Sequence, residues 1–515
     1  MAGRISGAFA GDEPFLLVGG TVLTLDDSAP RARAVLIKRR RIAWVGDDPA
    51  QVAAEHCRVI DVTGATVMPA FVNAHTHLTR LGLLLSALDL GVAGSVEDCL
   101  AALRATVGVT PEPIIWGVGW DETRWPERRP PTADELTQAT SGRPVMLSRS
   151  DGHCVVVDRT SVAALPLARA RGVDRGSDGR PTGLLRQEAA QVAQSWFSAQ
   201  LAGPTIENAR RLAARELAAA GVASAHEMGG PHRMGPADFD AWIEGEWPIE
   251  VIGYWGDMDL EFVESRGLRR VGGSLLLDGT IGSHSAALAT SYADRAGSGQ
   301  LYLDTTELRE FAIQATRKGI QIALHATGDR AVEQAIKVFE GMATVVGPEQ
   351  VLRSRPRLEY AALMEEDAVH RLASLGVVVT AQPTNEQQLG MSGGAYDQRL
   401  GADRARTANP LGALSRAGVR LAFGCDDGGS LLPWSAIEAA THDHHEAGSM
   451  DRMAALKAAT IGGRAAARQP TVGAIRTGHR ADLAVFEGGP EAPGRCVMTT
   501  VAGTIVHGAN LLVRA

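Results

Sequence analysis

Residues 67–77 read VMPAFVNAHTH. An apolar run leads into two histidines one residue apart, and side chains at i and i+2 of a strand leave the same face. Read as a strand, the stretch delivers His75 and His77 side by side at its C-terminal end. Neutral imidazoles placed this way are good ligands for a zinc-type ion, which in a catalytic site takes three or four protein groups and a water. An isolated pair of this kind is more often structural, so its meaning depends on what the rest of the chain brings beside it.

Seven further short apolar runs follow: GVASAHEM (221–228), IEVIGYW (249–255), SLLLDG (274–279), IQIALHATG (320–328), RPRLEYAA (355–362), GVVVTAQP (376–383) and VRLAFGCDD (419–427). Amphipathic helical stretches lie among them, such as 205–221, 305–319 and 329–343. Strand–helix alternation implies βαβ units and a parallel sheet. Eight such strands fit an α/β fold of the (β/α)8 TIM-barrel type, whose site residues gather at the C-terminal ends of the strands. His75, His77, His226, Asp278, His325, Glu359, Gln382 and Asp426 all fall at or just past those ends. The expected domains are a barrel over 67–468 and a small composite β-sandwich from 1–66 and 469–515, where short β-type runs dominate. Residues 80–220 are too long for one crossover and are expected to hold an excursion over the barrel mouth.

The bulk properties exclude other classes. The chain has 515 residues, 45% hydrophobic and 21% charged, as in an ordinary globular protein. Its net charge of -8 carries no basic stripe, which argues against a nucleic-acid partner. The densest basic run, KRRR at 38–41, sits between two apolar runs and reads as a solvated turn. The five cysteines are far apart with no CxxC pair, which suggests a reducing compartment without disulfides. No stretch approaches the ~20 apolar residues of a membrane span, and the N-terminus lacks a long apolar leader. A cytoplasmic location with no membrane partner is expected.

Several motifs in order, FVNAHTHL, GWDETRWPERRPPTADEL, RPVMLSRSDGH, GVASAHEMG, LDGTIGSHSAAL, LHATGDRAV, NPLGALSRAGVRLAFGCDD and GAIRTGHRADLAVF, make the chain resemble the amidohydrolase superfamily. Within it, the sequence is similar to the amidohydrolase-3 branch typified by N-substituted formamide deformylases. The resemblance implies metal ligands from the HxH of strand 1, from histidines of strands 5 and 6, and from an aspartate of strand 8. A carboxylated lysine on strand 4 often bridges two metals. Carried over, His75, His77, His325 and Asp426 match. Two positions depart: the strand-6 EH is here Glu359–Tyr360, and the lysine slot holds Ser274. Only four of the 51 basic residues are lysines (Lys38, Lys318, Lys337, Lys457), and none lies near that slot. Tyrosine replaces an imidazole poorly, because phenol ionises near ~10. Both losses fall on one side of a two-metal site, so one divalent ion is expected, zinc first and iron or manganese as alternatives.

The roles implied follow from that ion. Asp426 is the resemblance's candidate base for a metal-activated water, returning the proton to the leaving nitrogen; alternatively it is only a ligand and Asp427 does the proton work. His153 of SDGH matches a segment that overlies the site and would bind a carbonyl or oxyanion. His226 is either a replacement ligand, a supporting residue or a buried structural histidine. His284 lines the pocket or serves the loop, and Trp120 and Trp125 either wall the pocket or pack a core. Tyr360 either polarises the substrate or plugs the vacated metal position. HDHH at 442–445 reads as a helix face.

The expected activity is hydrolysis of a C–N bond in a small amide, N-acyl, N-formyl or cyclic amide compound. Hydrolytic deamination of an amino-heterocycle is one alternative, and a degenerate member kept as a binding protein is another. A small-molecule partner is expected, and a homodimer is compatible with the sequence.

Overall fold

The computed structural model describes residues 13–52, 56–109, 113–150, 154–426, 431, 433–442, 448–469 and 471–508. The sequence-derived candidates His153 and Asp427, and residues 443–445 of HDHH, lie outside the described residues. The chain divides into two compact units, residues 1–78 with 213–515, and residues 79–212.

The first unit holds the eight-stranded parallel sheet expected from the sequence. Its strands are β1 (Phe71–Thr76), β2 (Val222–Gly229), β3 (Glu250–Trp255), β4 (Arg270–Leu276), β5 (Gln321–Ala326), β6 (Arg357–Tyr360), β7 (Val378–Ala381) and β8 (Arg420–Phe423). They pair in that order from β1 to β8, each parallel to the next. This is a nearly closed (β/α)8 barrel. Between its two end strands the Asn73 amide takes the place of a backbone ladder. Asn73 Oδ1 accepts from Cys425 N–H at 3.0 Å, and its Nδ2 donates to Cys425 C=O at 3.3 Å.

One detail corrects the sequence reading. Residues 67–77 are not one strand but the end of one and the whole of another. Ala65–Pro69 belongs to a second sheet, where it pairs antiparallel with Leu483–Glu487. Pro69 has no N–H to continue a ladder, and Ala70 N–H turns to Asp482 C=O before Phe71 N–H bonds Gly221. The chain changes sheets at this step.

That second sheet has eight strands drawn from both ends of the chain, Phe15–Pro69 at one end and Leu483–His507 at the other. Val35, Val67, Leu483 and Met498 are buried in its core. The KRRR run is a two-residue hairpin turn as expected. Arg39 and Arg40 have φ of 51° and 68°, and Lys38 pairs with Arg41.

The second unit carries a six-stranded sheet from Leu88–Asp89 to Pro181–Arg186. Trp120 and Trp125 are buried in its core, with indole N–H groups donated to Leu147 C=O (3.0 Å) and Ala93 C=O (2.8 Å). Both tryptophans take the core-packing alternative within this unit.

Candidate metal centre

The alternation of β1 brings His75 and His77 to one place, with ring centroids 6.0 Å apart. Strand β8 supplies the third group. The ligand atoms of His75, His77 and Asp426 all lie within 4.8 Å of one another, and all three side chains are buried. His77 Nε2 stands 3.3 Å from Asp426 Oδ1, and His75 Nε2 stands 3.8 Å from Asp426 Oδ2. Glycine is required just before Asp426: a Cβ on Gly424 would sit 2.8 Å from His75 Cβ and 2.9 Å from His75 N. Without it, β8 could not approach β1 closely enough to add the carboxylate.

The far nitrogen of His75 is fixed by β6. His75 Nδ1 lies 2.8 Å from Glu359 Oε2, and both groups are buried. Glu359 is in turn held by Arg357 two residues back on the same face, through Nε–Oε1 (2.8 Å) and Nη2–Oε2 (2.9 Å). An ionised carboxylate only accepts, so His75 Nδ1 donates to Glu359 and the opposite ring nitrogen, Nε2, is the one on the Asp426 side. A carboxylate behind an imidazole is the usual way to orient a metal-binding histidine. Burial pushes the Glu359 carboxyl up, but the Arg357 charge and the His75 hydrogen bond outweigh it and hold it below the ordinary value.

Arg357 also settles His226. Its Nη1 lies 2.9 Å from His226 Nδ1. Guanidinium only donates, so Nδ1 accepts and the ring is neutral, which agrees with burial and the Arg357 charge lowering its pKa well below the ordinary value. His226 thus lies in the barrel interior on the arginine, not in the cluster of His75, His77 and Asp426.

His325 ends β5, with its ring centroid 6.2 Å from that of His75 and 4.5 Å from that of Tyr360. Burial, and the neighbouring His75, push its pKa down to about 3, so the imidazole is neutral. Its Nδ1 is buried without a hydrogen-bond partner. His325 is not one of the three groups that converge within 4.8 Å, but a neutral imidazole with an unpaired nitrogen next to His75 is chemically suited to a divalent cation.

Tyr360 reaches the same place from β6. Its hydroxyl donates to Asp426 Oδ2 at 2.6 Å. Tyr360 and Ala361 both have positive φ, 69° and 54°, a conformation that favours glycine and is held here against its cost. Burial pushes the Asp426 carboxyl up, but His77, His75, Arg233 and the Tyr360 hydroxyl together hold it below the carboxylate range.

Ser274 donates its hydroxyl to Met228 C=O at 2.9 Å. The lysines lie elsewhere: Lys318, Lys337 and Lys457 make ion pairs with Glu264, Glu333 and Asp27, and Lys38 is in the terminal sheet. His284, in the loop after β4, pairs with Asp294 at 3.0 Å and lies against Tyr292. Asp278 serves as a clamp, accepting from the N–H groups of Ala287, Thr327 and Gly328 at 2.8–2.9 Å and tying that loop to the end of β5.

Two interior groups were not singled out from the sequence. Arg357 had one legible signal, charged residues at i and i+2 of an otherwise apolar strand. Glu227, beside His226, is buried and accepts from Leu78 N–H at 2.7 Å. Burial, added to by the Asp238 and Asp426 charges and opposed by that hydrogen bond, pushes its carboxyl up to about 8.

A model of the amidohydrolase family matches residues 58–509. The chain is 24% identical to the N-substituted formamide deformylase of Arthrobacter pascens, over 92% of this chain and 93% of that one. It is 26% identical to the protein LONG AFTER FAR-RED 3 of Arabidopsis thaliana, over 80% and 74% of the two chains. Among solved structures, an uncharacterized metal-dependent hydrolase from Pyrococcus furiosus superposes with a TM-score of 0.75 at 26% identity, covering 93% of this chain and all of that one.

Proposed function

Because the chain belongs to the amidohydrolase family, we propose that it is a metal-dependent hydrolase that cuts a C–N bond of a small amide, N-acyl, N-formyl or cyclic amide compound at a single-ion site. His75, His77, His325 and Asp426 would hold the ion, with zinc the expected metal. One observation carries the reading: three ligand groups converge within 4.8 Å while Glu359 holds the back of His75. The likeness to a formamide deformylase and to a metal-dependent hydrolase supports it. Ser274 and Tyr360, in place of a lysine and a histidine, support one ion rather than two.

A divalent ion supplies Lewis acidity, polarising a carbonyl and bringing the pKa of a water down towards ~7. The chain's own groups do the rest. Glu359 and Arg357 keep His75 in one tautomer and one orientation. The Tyr360 hydroxyl occupies Asp426 Oδ2, leaving Oδ1 on the His77 side as the proton acceptor. Asp426 takes a proton from the attacking water and hands it to the departing nitrogen, so that an amine leaves rather than an amide anion.

The test is hydrolysis of a panel of N-formyl amines, N-acyl amines and lactams by wild type and Asp426→Asn. The variant is expected to lose activity by about 10²–10⁴-fold, the usual worth of a general base. Full activity in the variant, or none in wild type on any C–N substrate, would sink the proposal.

A further inference from the structure

Gln382 follows the last residue of β7 and opens the helix Pro383–Leu389. Its side chain is fully buried, and neither Oε1 nor Nε2 has a hydrogen-bond partner. A folded chain rarely leaves both ends of a carboxamide unmade, since a buried polar group without a partner destabilises the fold. The usual structural uses are not made here. Gln382 stands where a side chain caps a helix, yet it makes no capping bond. The interior network around Arg357 takes in Thr380, two residues earlier, and leaves Gln382 out.

Strand β8 makes room for the amide. A Cβ on Gly424 would lie 2.7 Å from Gln382 Nε2 and 2.8 Å from His75 Cβ, so the amide and the base of the His75 side chain flank one point. Asp426 is two residues further along. The unsatisfied carboxamide is therefore packed against the strand ends that carry the candidate ligands, and it is as deeply buried as they are.

We propose that Gln382 is a substrate-binding residue that recognises an N–H and a C=O held side by side, as in a cyclic imide, a cyclic ureide or a primary carboxamide. A carboxamide offers one acceptor and one donor in parallel, and such a group satisfies both at once. This deepens the amide-hydrolase reading above and rests on it. Gln382 makes no bond that moves a proton; it orients the molecule and decides which amides are held.

The probe is succinimide, with N-methylsuccinimide, which lacks the N–H, as its control. Both are titrated calorimetrically into the full chain as purified, for wild type, Gln382→Leu and Gln382→Glu, and thermal unfolding is followed in parallel. Wild type is expected to bind succinimide at least about tenfold more tightly than the N-methyl compound, the worth of one to two hydrogen bonds. Gln382→Leu is expected to lose that preference while its Tm stays level or rises, because an unpaired amide has been removed. Gln382→Glu keeps the size and the acceptor and loses the donor once it is ionised, so at the alkaline end of a pH series of titrations it should lose the preference too. Equal binding of the two probes by wild type, an unchanged preference in Gln382→Leu, no binding at all, or unfolding of both variants would each overturn the assignment. Selective binding through Gln382 in a protein that hydrolyses no amide would leave this assignment standing and remove the function above. Amide hydrolysis with an unchanged KM in Gln382→Leu would do the reverse.

Discussion

The Arg357–Glu359–His75 chain separates a ligand's identity from its orientation. Glu359→Gln keeps the shape but removes the charge that faces both Arg357 and His75. Breaking one partner of a buried ion pair costs about 3–5 kcal/mol, and losing the carboxylate behind a metal-binding imidazole weakens metal affinity about 10–100-fold. Chelator competition together with denaturant unfolding checks both; unchanged affinity would remove Glu359 from the metal centre. Glu227 makes a different prediction. Its carboxyl, raised to about 8 in the folded chain, ionises near ~4.3 when unfolded. The folded state binds more protons between those values, so this contribution is full below ~4.3 and is lost as pH rises to about 8. Glu227→Gln is expected to flatten the fall of Tm between pH 5 and 8, and an unaltered slope would contradict the buried acid. The histidine pair was legible because its signal is local, two residues on one strand face. Arg357 and Glu227 were not, because their meaning depends on which groups face them across the barrel.

Strands were legible where period and turn residues agreed. Each of the eight apolar runs read from the sequence holds a barrel strand or part of one, but β4 begins at Arg270, four residues before its run, because RVGG carries little apolar signal. The first run failed at one point, because 67–77 looks continuous while Pro69 ends one ladder and Phe71 begins another. Which sheet claims each half is a long-range fact: Leu483–Glu487, four hundred residues on, pairs with the first half. The seam between β1 and β8 depends on Asn73. Asn73→Ala would remove both of its bonds to Cys425, at a cost of about 1–3 kcal/mol, and it would loosen the carboxylate one residue away. Urea unfolding and metal affinity should both fall, and a stable variant with intact affinity would show the seam to be closed by something else. Gly424→Ala should be worse for the site than for the fold, since its Cβ would meet His75 and Gln382 directly.

At the scale of the molecule, the last strands complete a sheet begun by the first, and a charge network with buried Arg464 and Asp482 at its centre joins that sheet to the barrel. Arg464 pairs with Asp482 at 2.6 Å and with Glu250 of β3, and Arg480 pairs with both acids. Asp482→Asn should therefore destabilise the chain by about 3–5 kcal/mol, although Asp482 is not one of the proposed ligands. Wild-type stability in this variant would separate the two parts. That both ends build one β-rich domain was readable from their composition, whereas this network, in which the distant Glu250 joins Arg464, Arg480 and Asp482, was not. One ion held by His75, His77, His325 and Asp426 is central to the proposed chemistry. Elemental analysis of protein purified without added metal or chelator tests it most directly. About one equivalent of zinc, iron or manganese per chain, lost in the double variant His75→Ala/His77→Ala, is the predicted result. Two equivalents, or none taken up even when metal is supplied, would contradict it.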